Sequence, residues 1–219
     1  MQLQLGGFYM KYQDMQFSGF NATNPAAPAV TNIGASKIDG LEFSSQARLG
    51  RFDTRIDVAY LHSVLGNITQ IASYRLPPNA VVPQCTPGQT AGCFDYTPYQ
   101  TSLNGESNPY SPKLTASIDV DYRIPLGQDI LRPRLSYSYT GSQYAALFQA
   151  DNYYLMPAHG LWDASLAYEA DKWLVQSYVN NFTNKVYYAG IGSITGGAGG
   201  STVFYGAPRQ YGLRVSRSF

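Results

Sequence analysis

The sequence predicts an all-β chain, an antiparallel up-and-down transmembrane β-barrel of about eight strands. Composition, a period of two in hydropathy and the lengths of the links between strands carry that expectation. Only 13% of the 219 residues are charged, about half the usual quarter, while 44% are hydrophobic and 14% aromatic. A chain with 19 Tyr and so little charge is not disordered, because disordered segments are poor in aromatics and rich in charge. No run reaches the roughly 18 apolar residues that a membrane helix needs. A net charge of +1 leaves no electrostatic footprint for nucleic acid.

Taken in order, residues 2–19 read as a strand whose apolar phase slips from Leu3 and Leu5 to Phe8, Met10 and Tyr12. The slip falls at Gly6-Gly7, where a β-bulge is the expected cause. Residues 33–49 form a weaker strand, interrupted by Gly34 and Gly40. From Arg51 the alternation is clean: Phe52, Ile56, Val58 and Tyr60 lie between Asp53, Arg55 and Asp57. The run Leu114, Ala116, Ile118, Val120, Tyr122 and Ile124 alternates with Thr115, Ser117, Asp119, Asp121 and Arg123. Leu131, Leu135, Tyr137 and Tyr139 alternate with Arg132, Arg134, Ser136, Ser138 and Thr140, and Trp162 to Tyr168 with Asp163, Ser165 and Glu169. Residues 172–188 begin well with Trp173, Val175 and Val179, then blur at Asn180-Asn181. The last strand sets Tyr211, Leu213, Val215 and Phe219 against Gln210, Arg214, Ser216 and Ser218. A helix would scatter these apolar residues around its circumference; a strand lines them up on one face.

The links alternate strictly. Short ones fall near Leu49-Gly50-Arg51, Pro125–Ile130 and Ala170-Asp171-Lys172, and long ones near 20–32, 66–110, 142–159 and 189–206. A bacterial outer-membrane barrel segregates its connections in this way, with short periplasmic turns and long extracellular loops. The charged faces then point to a wet lumen and the apolar faces to lipid. Trp162, Trp173 and the strand-end tyrosines become interfacial girdle residues; in a water-soluble barrel they would be ordinary core aromatics. Met1-Gln2-Leu3-Gln4-Leu5 opens straight into strand, without the pattern of a secretory signal. The expectation is either a trimmed mature chain or the C-terminal piece of something longer. Cys85 and Cys93 flank a Pro- and Gly-containing turn, which favours a small disulfide loop over two free thiols. Nearby Cys and His are too few for a metal site.

Five fragments resemble one family. Phe8-Tyr9-Met10-Lys11-Tyr12-Gln13-Asp14-Met15-Gln16, Ser36-Lys37-Ile38-Asp39-Gly40-Leu41-Glu42-Phe43 and Ser111-Pro112-Lys113-Leu114-Thr115-Ala116 are similar to three strands of TonB-dependent outer-membrane receptors, the second normally following the first and the third opening after a long loop. Val179-Asn180-Asn181-Phe182-Thr183-Asn184-Lys185-Val186-Tyr187-Tyr188 resembles a fourth, and the end, Pro208 to Phe219, resembles the closing strand. They occur in family order over nearly the whole chain. One departure is Arg217, where the family usually has an apolar residue; a long Arg near the rim can snorkel.

The resemblance implies that residues 1–219 are the C-terminal segment of a receptor barrel, the last eight of about 22 strands, with plug domain, signal peptide and TonB-contacting box absent. It implies an outer membrane of a Gram-negative bacterium, with lipid, the rest of the receptor chain, the barrel-assembly machinery and TonB as partners. The implied function is TonB-dependent uptake of scarce large nutrients, iron–siderophore complexes foremost, with cobalamin, haem and oligosaccharides as the other classes. A complete small eight-stranded barrel with a structural or adhesive role is the alternative. Its lumen would be filled by side chains, whereas Thr115, Ser117, Asp119, Asp121, Ser136 and Ser138 are small or acidic. An enzyme in a small barrel is a third reading, without a catalytic set: His62 and His159 have no partners at motif spacing, and His62 reads as a rim or lumen residue. Gly196-Gly197-Ala198-Gly199-Gly200 reads as a loop rather than a phosphate cradle, since no Lys-Ser/Thr follows. No cofactor is expected. Tyr96, Tyr99, Tyr153 and Tyr154 are the candidate ligand-contacting loop residues, because aromatic rings cost little entropy to place against bulky ligands. Tyr211, Leu213, Val215 and Phe219 are the candidate signal for barrel assembly.

Overall fold

In the computed structural model, the described residues are 1–24, 29–32, 34–149, 152–193 and 201–218; for Ser18, Ala29, Thr31 and Ser193 only the backbone is described. Eight long strands form one antiparallel sheet in sequence order: β1 (Gln2–Tyr12), β2 (Ser36–Leu49), β3 (Phe52–Leu65), β4 (Leu114–Tyr122), β5 (Asp129–Thr140), β6 (His159–Ala170), β7 (Trp173–Asn180) and β8 (Gln210–Arg217). A short strand, Ile124–Leu126, extends the pairing along the start of β5. No helix among the described residues is long and apolar enough to cross a membrane, which says nothing about crossing by strands.

The short links are two-residue hairpins. Leu49 pairs with Phe52, Leu126 with Asp129 and Ala170 with Trp173. The first loop residue of each has positive φ: Gly50 at 62°, Gly127 at 71° and Asp171 at 44°. Tight hairpins need that region to match the strand twist, and Gly enters it without steric cost. Each long link instead carries a small antiparallel pair beyond the sheet: Gln16–Gly19 with Ala29–Asn32, Thr69–Ile71 with Gln100–Ser102, Gln143–Tyr144 with Leu155–Met156, and Tyr188–Ser193 with Ser201–Tyr205.

Register assigns the two faces. One row runs Leu5, Phe43, Val58 and Ala116, and the next Ile56, Ile118, Tyr137 and Trp162. Leu5, Phe43 and Ile118 of these rows are exposed, Leu5 by 76%, and on the same face of β8 Leu213 is 67% exposed. The opposite face carries Gln4, Ser44, Asp57, Ser117 and Ser138 in one row. A sheet with an exposed apolar face and a polar concave one is built for lipid outside and water inside.

The expected bulge at Gly6-Gly7 is absent. β1 and β2 pair without interruption from Gln2–Gln46 to Tyr12–Ser36. The change of apolar phase has another cause: Phe8 turns to the inner face, where it packs on Gly40, and Tyr9 stays outside. Nor does the first strand continue to residue 19, because Asp14 adopts φ 53° and the pairing restarts at Gln16. The strand from Trp173 likewise stops at Asn180, before Asn181 at φ 48°.

Three glycines in the sheet are roofed by aromatic rings. A Cβ on Gly40 would lie 2.7 Å from Phe8 Cζ and 2.5 Å from the Tyr60 carbonyl oxygen. At Gly212 it would lie 2.7 Å from Tyr178 Cζ, and at Gly160 the same distance from Tyr137 Cζ. The missing side chain lets a cross-strand ring lie flat on the backbone. At Gly6, by contrast, a Cβ meets nothing within 4 Å. Gly212→Val in the intact protein should therefore cost about 1–3 kcal/mol through overpacking, read as a lower urea midpoint of unfolding in detergent. Gly6→Ala should stay within about 0.5 kcal/mol of the parent.

Candidate functional site

Two surfaces offer chemistry: the inner wall, and the loops at the end of the sheet that holds the long links. Nearest the short turns, the inner wall holds an ion-pair lattice of four arginines and four aspartates. Asp53 sits between Arg48 and Arg123 at 2.6 and 2.7 Å. Arg55 meets Asp57 at 2.8 Å, and Arg134 reaches Asp121 at 3.3 Å and Asp119 at 3.6 Å. The charges balance one another because β3, β4 and β5 put them in register: Arg55 stands opposite Asp119, and Arg134 opposite Asp121. Each pair is partly open to water, which screens it. Together they make this part of the wall polar. Halfway up, the wall changes to Ser44, Thr115, Ser117, Ser138 and Thr140 with Glu42 and Asp57, around a concavity of about 500 Å³.

Among the described residues, the buried apolar clusters lie in the long-link loops and at the strand end that leads into them. Leu65, Ile68, Leu103 and Leu147 form one, joined by Met15, Phe17 and Phe148. Leu76, Ala80 and Tyr96 form a second, with Phe20, Phe94 and Tyr99 packed against it. Tyr154, Met156 and Ile191 form a third, with Tyr74, Tyr153 and Val203. Polar anchors tie these loops to the sheet. Asn108 donates from Nδ2 to Ser36 Oγ at 2.6 Å, and from its backbone N–H to Ser63 Oγ at 3.2 Å. Gln149 Nε2 donates to the Ser107 carbonyl at 2.6 Å, joining the loop of residues 141–158 to that of 66–113.

The four candidate tyrosines divide. Tyr96 is fully buried, and its hydroxyl donates towards the Ala80 and Val82 carbonyls at 3.1 and 2.9 Å. Burial raises its pKa above the ordinary phenol value. Tyr154 is 3% exposed. Both are packing residues, and neither offers a ring to a ligand. Tyr99 and Tyr153 remain half-exposed. Tyr153 stacks on Tyr74 with centroids 5.2 Å apart and planes at 21°, and the Arg75 guanidinium lies over the same Tyr74 ring at 5.5 Å. Tyr74 was missed in the sequence because a lone Tyr before Arg in a Pro-rich loop carries no periodic signal.

Cys85 and Cys93 are joined, with Cα atoms 4.8 Å apart. Beside them the Asp95 carboxylate accepts the Thr97 N–H at 3.0 Å, which holds its pKa below the ordinary range. His62 and His159 have separate partners: His62 Nδ1 lies 3.1 Å from Asp39 Oδ1, and His159 stacks on Tyr187 at 4.6 Å. Among the described residues no group of three or more His, Cys, Asp and Glu could hold a metal ion. In the closing strand Tyr211, Leu213 and Val215 share the outer face. Phe219 and the run Gly196–Gly200 lie outside the described residues.

The turn after β7 is a side-chain staple. Asn181, 4% exposed, accepts the Lys185 N–H on Oδ1 at 2.8 Å and donates from Nδ2 to the Lys185 and Ala207 carbonyls. Asp163 on β6 accepts the Asn181 N–H at 2.7 Å, and Asn184 Oδ1 accepts the Arg209 N–H at 3.0 Å. Sequence reading saw only that alternation fails there; the failure marks the place where side chains take over the pairing.

Residues 1–182 match the family described as TonB dependent receptor-like, beta-barrel. The chain belongs to that family. TonB-dependent receptors lie in the outer membrane of Gram-negative bacteria, which makes the long-link end extracellular and the two-residue turns periplasmic. No curated protein sequence matches the chain. Among solved structures it is similar to the ferric yersiniabactin uptake receptor FyuA from Yersinia pestis, with TM-score 0.71 and 19% identity over 99% of this chain and 27% of that one. The siderophore receptor PiuA from Acinetobacter baumannii matches with TM-score 0.61 and 20% identity over 97% and 25%. The copper transporter OprC matches with TM-score 0.62 and 15% identity over 100% and 29%. At such identities the likeness is one of fold, and the chain spans about a quarter of the length of the structures it matches. The family and these structures are receptors and transporters, not enzymes.

Within this receptor barrel, the nine-residue disulfide loop restricts the unfolded chain by about 2–3 kcal/mol in the loop-entropy account. It acts on the extracellular loop alone. Reduction, or Cys85→Ser, should raise proteolytic nicking within residues 80–100 and leave the heat-resistant mobility of the barrel on gels unchanged. Equal nicking with and without reductant would remove the bond from the stability of the loop.

Proposed function

We propose that this chain supplies the last eight strands of a larger barrel, of about 22 strands around a plug, that imports iron–siderophore complexes with energy drawn through TonB. The observation that carries the reading is the open sheet. Among the described residues β1 pairs with β2 alone and β8 with β7 alone. Backbone groups left unpaired in hydrocarbon cost several kcal/mol each, so both edges call for further strands. The inner wall supports the same reading, since small hydroxyl side chains line a space rather than fill it. The siderophore part draws support from the receptors for ferric yersiniabactin and other siderophores that share the fold.

In this reading the substrate meets the extracellular loops at Tyr99, Tyr153 and Tyr74, with Arg75 as a cation for an anionic iron chelate. TonB binds the part of the receptor that precedes these strands, and the barrel-assembly machinery takes the strand ending in Tyr211, Leu213, Val215 and Phe219. A strain whose route for a ferric siderophore is the intact receptor should grow on that complex as its iron source and stop when TonB is deleted. Growth that survives loss of TonB would refute the energised part of the proposal.

The eight-stranded closed barrel is the competing architecture, and it makes a different prediction. Residues 1–219 refolded alone in detergent micelles should give no compact, heat-modifiable monomer, because β1 and β8 have no partners. A heat-modifiable monomer with β1 amides protected from hydrogen exchange on both edges would favour the small barrel.

A further inference from the structure

Asn104-Gly105 is the sole Asn-Gly pair in the sequence. It forms the corner of the turn Leu103–Glu106 in the longest extracellular loop, where the Glu106 N–H donates to the Leu103 carbonyl at 3.1 Å and Gly105 adopts φ 83°. That φ calls for a residue without a Cβ, so the turn itself requires the glycine. Asn104 is exposed, and among the described residues no hydrogen bond engages its side-chain amide. A Cβ on Gly105 would meet nothing within 4 Å, and Gly105 lines an open cavity of about 410 Å³. Solvent therefore reaches the pair.

This combination has a chemistry of its own. The Gly105 nitrogen attacks Cγ of Asn104, and the new N–Cγ bond closes a five-membered imide. The Cγ–Nδ2 bond breaks, and ammonia leaves with the proton of the Gly105 N–H. Water then opens the imide at either carbonyl and leaves an aspartyl or isoaspartyl residue at position 104. A side chain on the following residue would crowd the attack, and glycine has none.

One contact opposes the first step. The Gly105 N–H donates to the Leu65 carbonyl at 3.0 Å, and the Leu65 N–H donates to the Glu106 carbonyl at 2.7 Å. These two bonds fasten the turn to the end of β3, where Leu103, 1% exposed, packs in one cluster with Leu65. The nitrogen must leave Leu65 before it can reach Cγ. A single hydrogen bond is a modest barrier, which slows the reaction roughly two- to tenfold. Asp39-Gly40 is the contrasting case. It could close the same imide with loss of water, but Gly40 lies inside the ladder, opposite Phe8 on one side and Leu61 on the other. Freeing that glycine means parting the wall, which opens far less often than a loop.

We infer that Asn104 is a deamidation site on the extracellular surface, guarded by the Gly105–Leu65 hydrogen bond and exposed to reaction by local loosening of its loop. The isoaspartyl product adds one methylene to the main chain and one carboxylate beside Glu106. The turn then loses its two bonds to Leu65, and Leu103 loses its fixed place in the cluster. The wall is unaffected. The site depends on the geometry of the turn and is independent of what the receptor imports.

The test incubates the intact receptor, folded in detergent, in mildly alkaline buffer beside a sample unfolded in urea. Peptide mass spectrometry follows position 104, and an isoaspartyl-specific methyltransferase labels the isomerised product. Conversion should accumulate at position 104 in both samples, roughly two- to tenfold more slowly in the folded one. N104Q, folded by its heat-modifiable mobility, should lose most of the label, because glutamine closes the larger imide slowly. Amide hydrogen exchange within residues 66–113 should quicken in the aged parent and stay unchanged in N104Q aged alongside it. Conversion in urea with none in the folded receptor would overturn the site, and equal rates in the two samples would overturn the guard. Undiminished label in folded N104Q would overturn the assignment by placing the reaction elsewhere in the chain.

Discussion

Inside hydrocarbon, water offers no partner to a backbone N–H or C=O, so each of these groups must be paired within the protein. The antiparallel ladder meets that demand along β1–β8, and its period of two decides the rest of the wall. Once Leu5 stands opposite Phe43, every neighbour in the row is assigned to lipid, and a slip of one residue would turn Asp57 and Asp119 into the bilayer. The two-residue turns at Gly50, Gly127 and Asp171 hold that register at the periplasmic end. The Asn181 staple does similar work at the other end, where the ladder between β7 and β8 has run out.

The same constraint explains why so much of the wall was legible in the sequence. Lipid and lumen differ so strongly in polarity that alternation along Phe52–Tyr60 or Leu114–Tyr122 marks a strand with two unlike faces, and the register lines up each series on one face. Legibility failed where an apolar residue faces inward. Phe8 is as apolar as Leu5, and the sequence cannot tell a ring that meets acyl chains from one that lies on Gly40. A change of face therefore looked like a bulge, although pairing runs unbroken from Gln2 to Tyr12. The family fragments conceal this kind of contact: Phe8 lies in the first and Gly40 in the second, and Gly212 in the last is roofed by Tyr178 next to the fourth.

The loops were illegible for a different reason. Nothing local marks Tyr96 as buried and Tyr99 as half-exposed, since both sit in the same Pro- and Thr-rich stretch. The difference comes from Phe20 and Phe94, whose rings stand 5.0 and 4.9 Å from Tyr96. Tyr74 meets Tyr153 and Phe148 across more than 70 residues of chain, and Gln149 meets Ser107 across 42. Such contacts are set by how four hairpins lean on one another above the sheet, and composition alone cannot order them.

Wall and loops thus rest on separate stabilising interactions. The wall is held by continuous backbone pairing across all eight strands, with the Arg–Asp lattice beside it across β2–β5. The loops are held by three small apolar clusters, single anchors such as Asn108, and one local disulfide. Interactions that are few and local open at lower free energy than a global ladder does. A receptor has use for that inequality, since its loops must adjust around an incoming ligand while the wall keeps the bilayer sealed. The half-exposed rings of Tyr74, Tyr99 and Tyr153 lie on the side of this division that can move, and the polar concavity below them lies on the side that cannot.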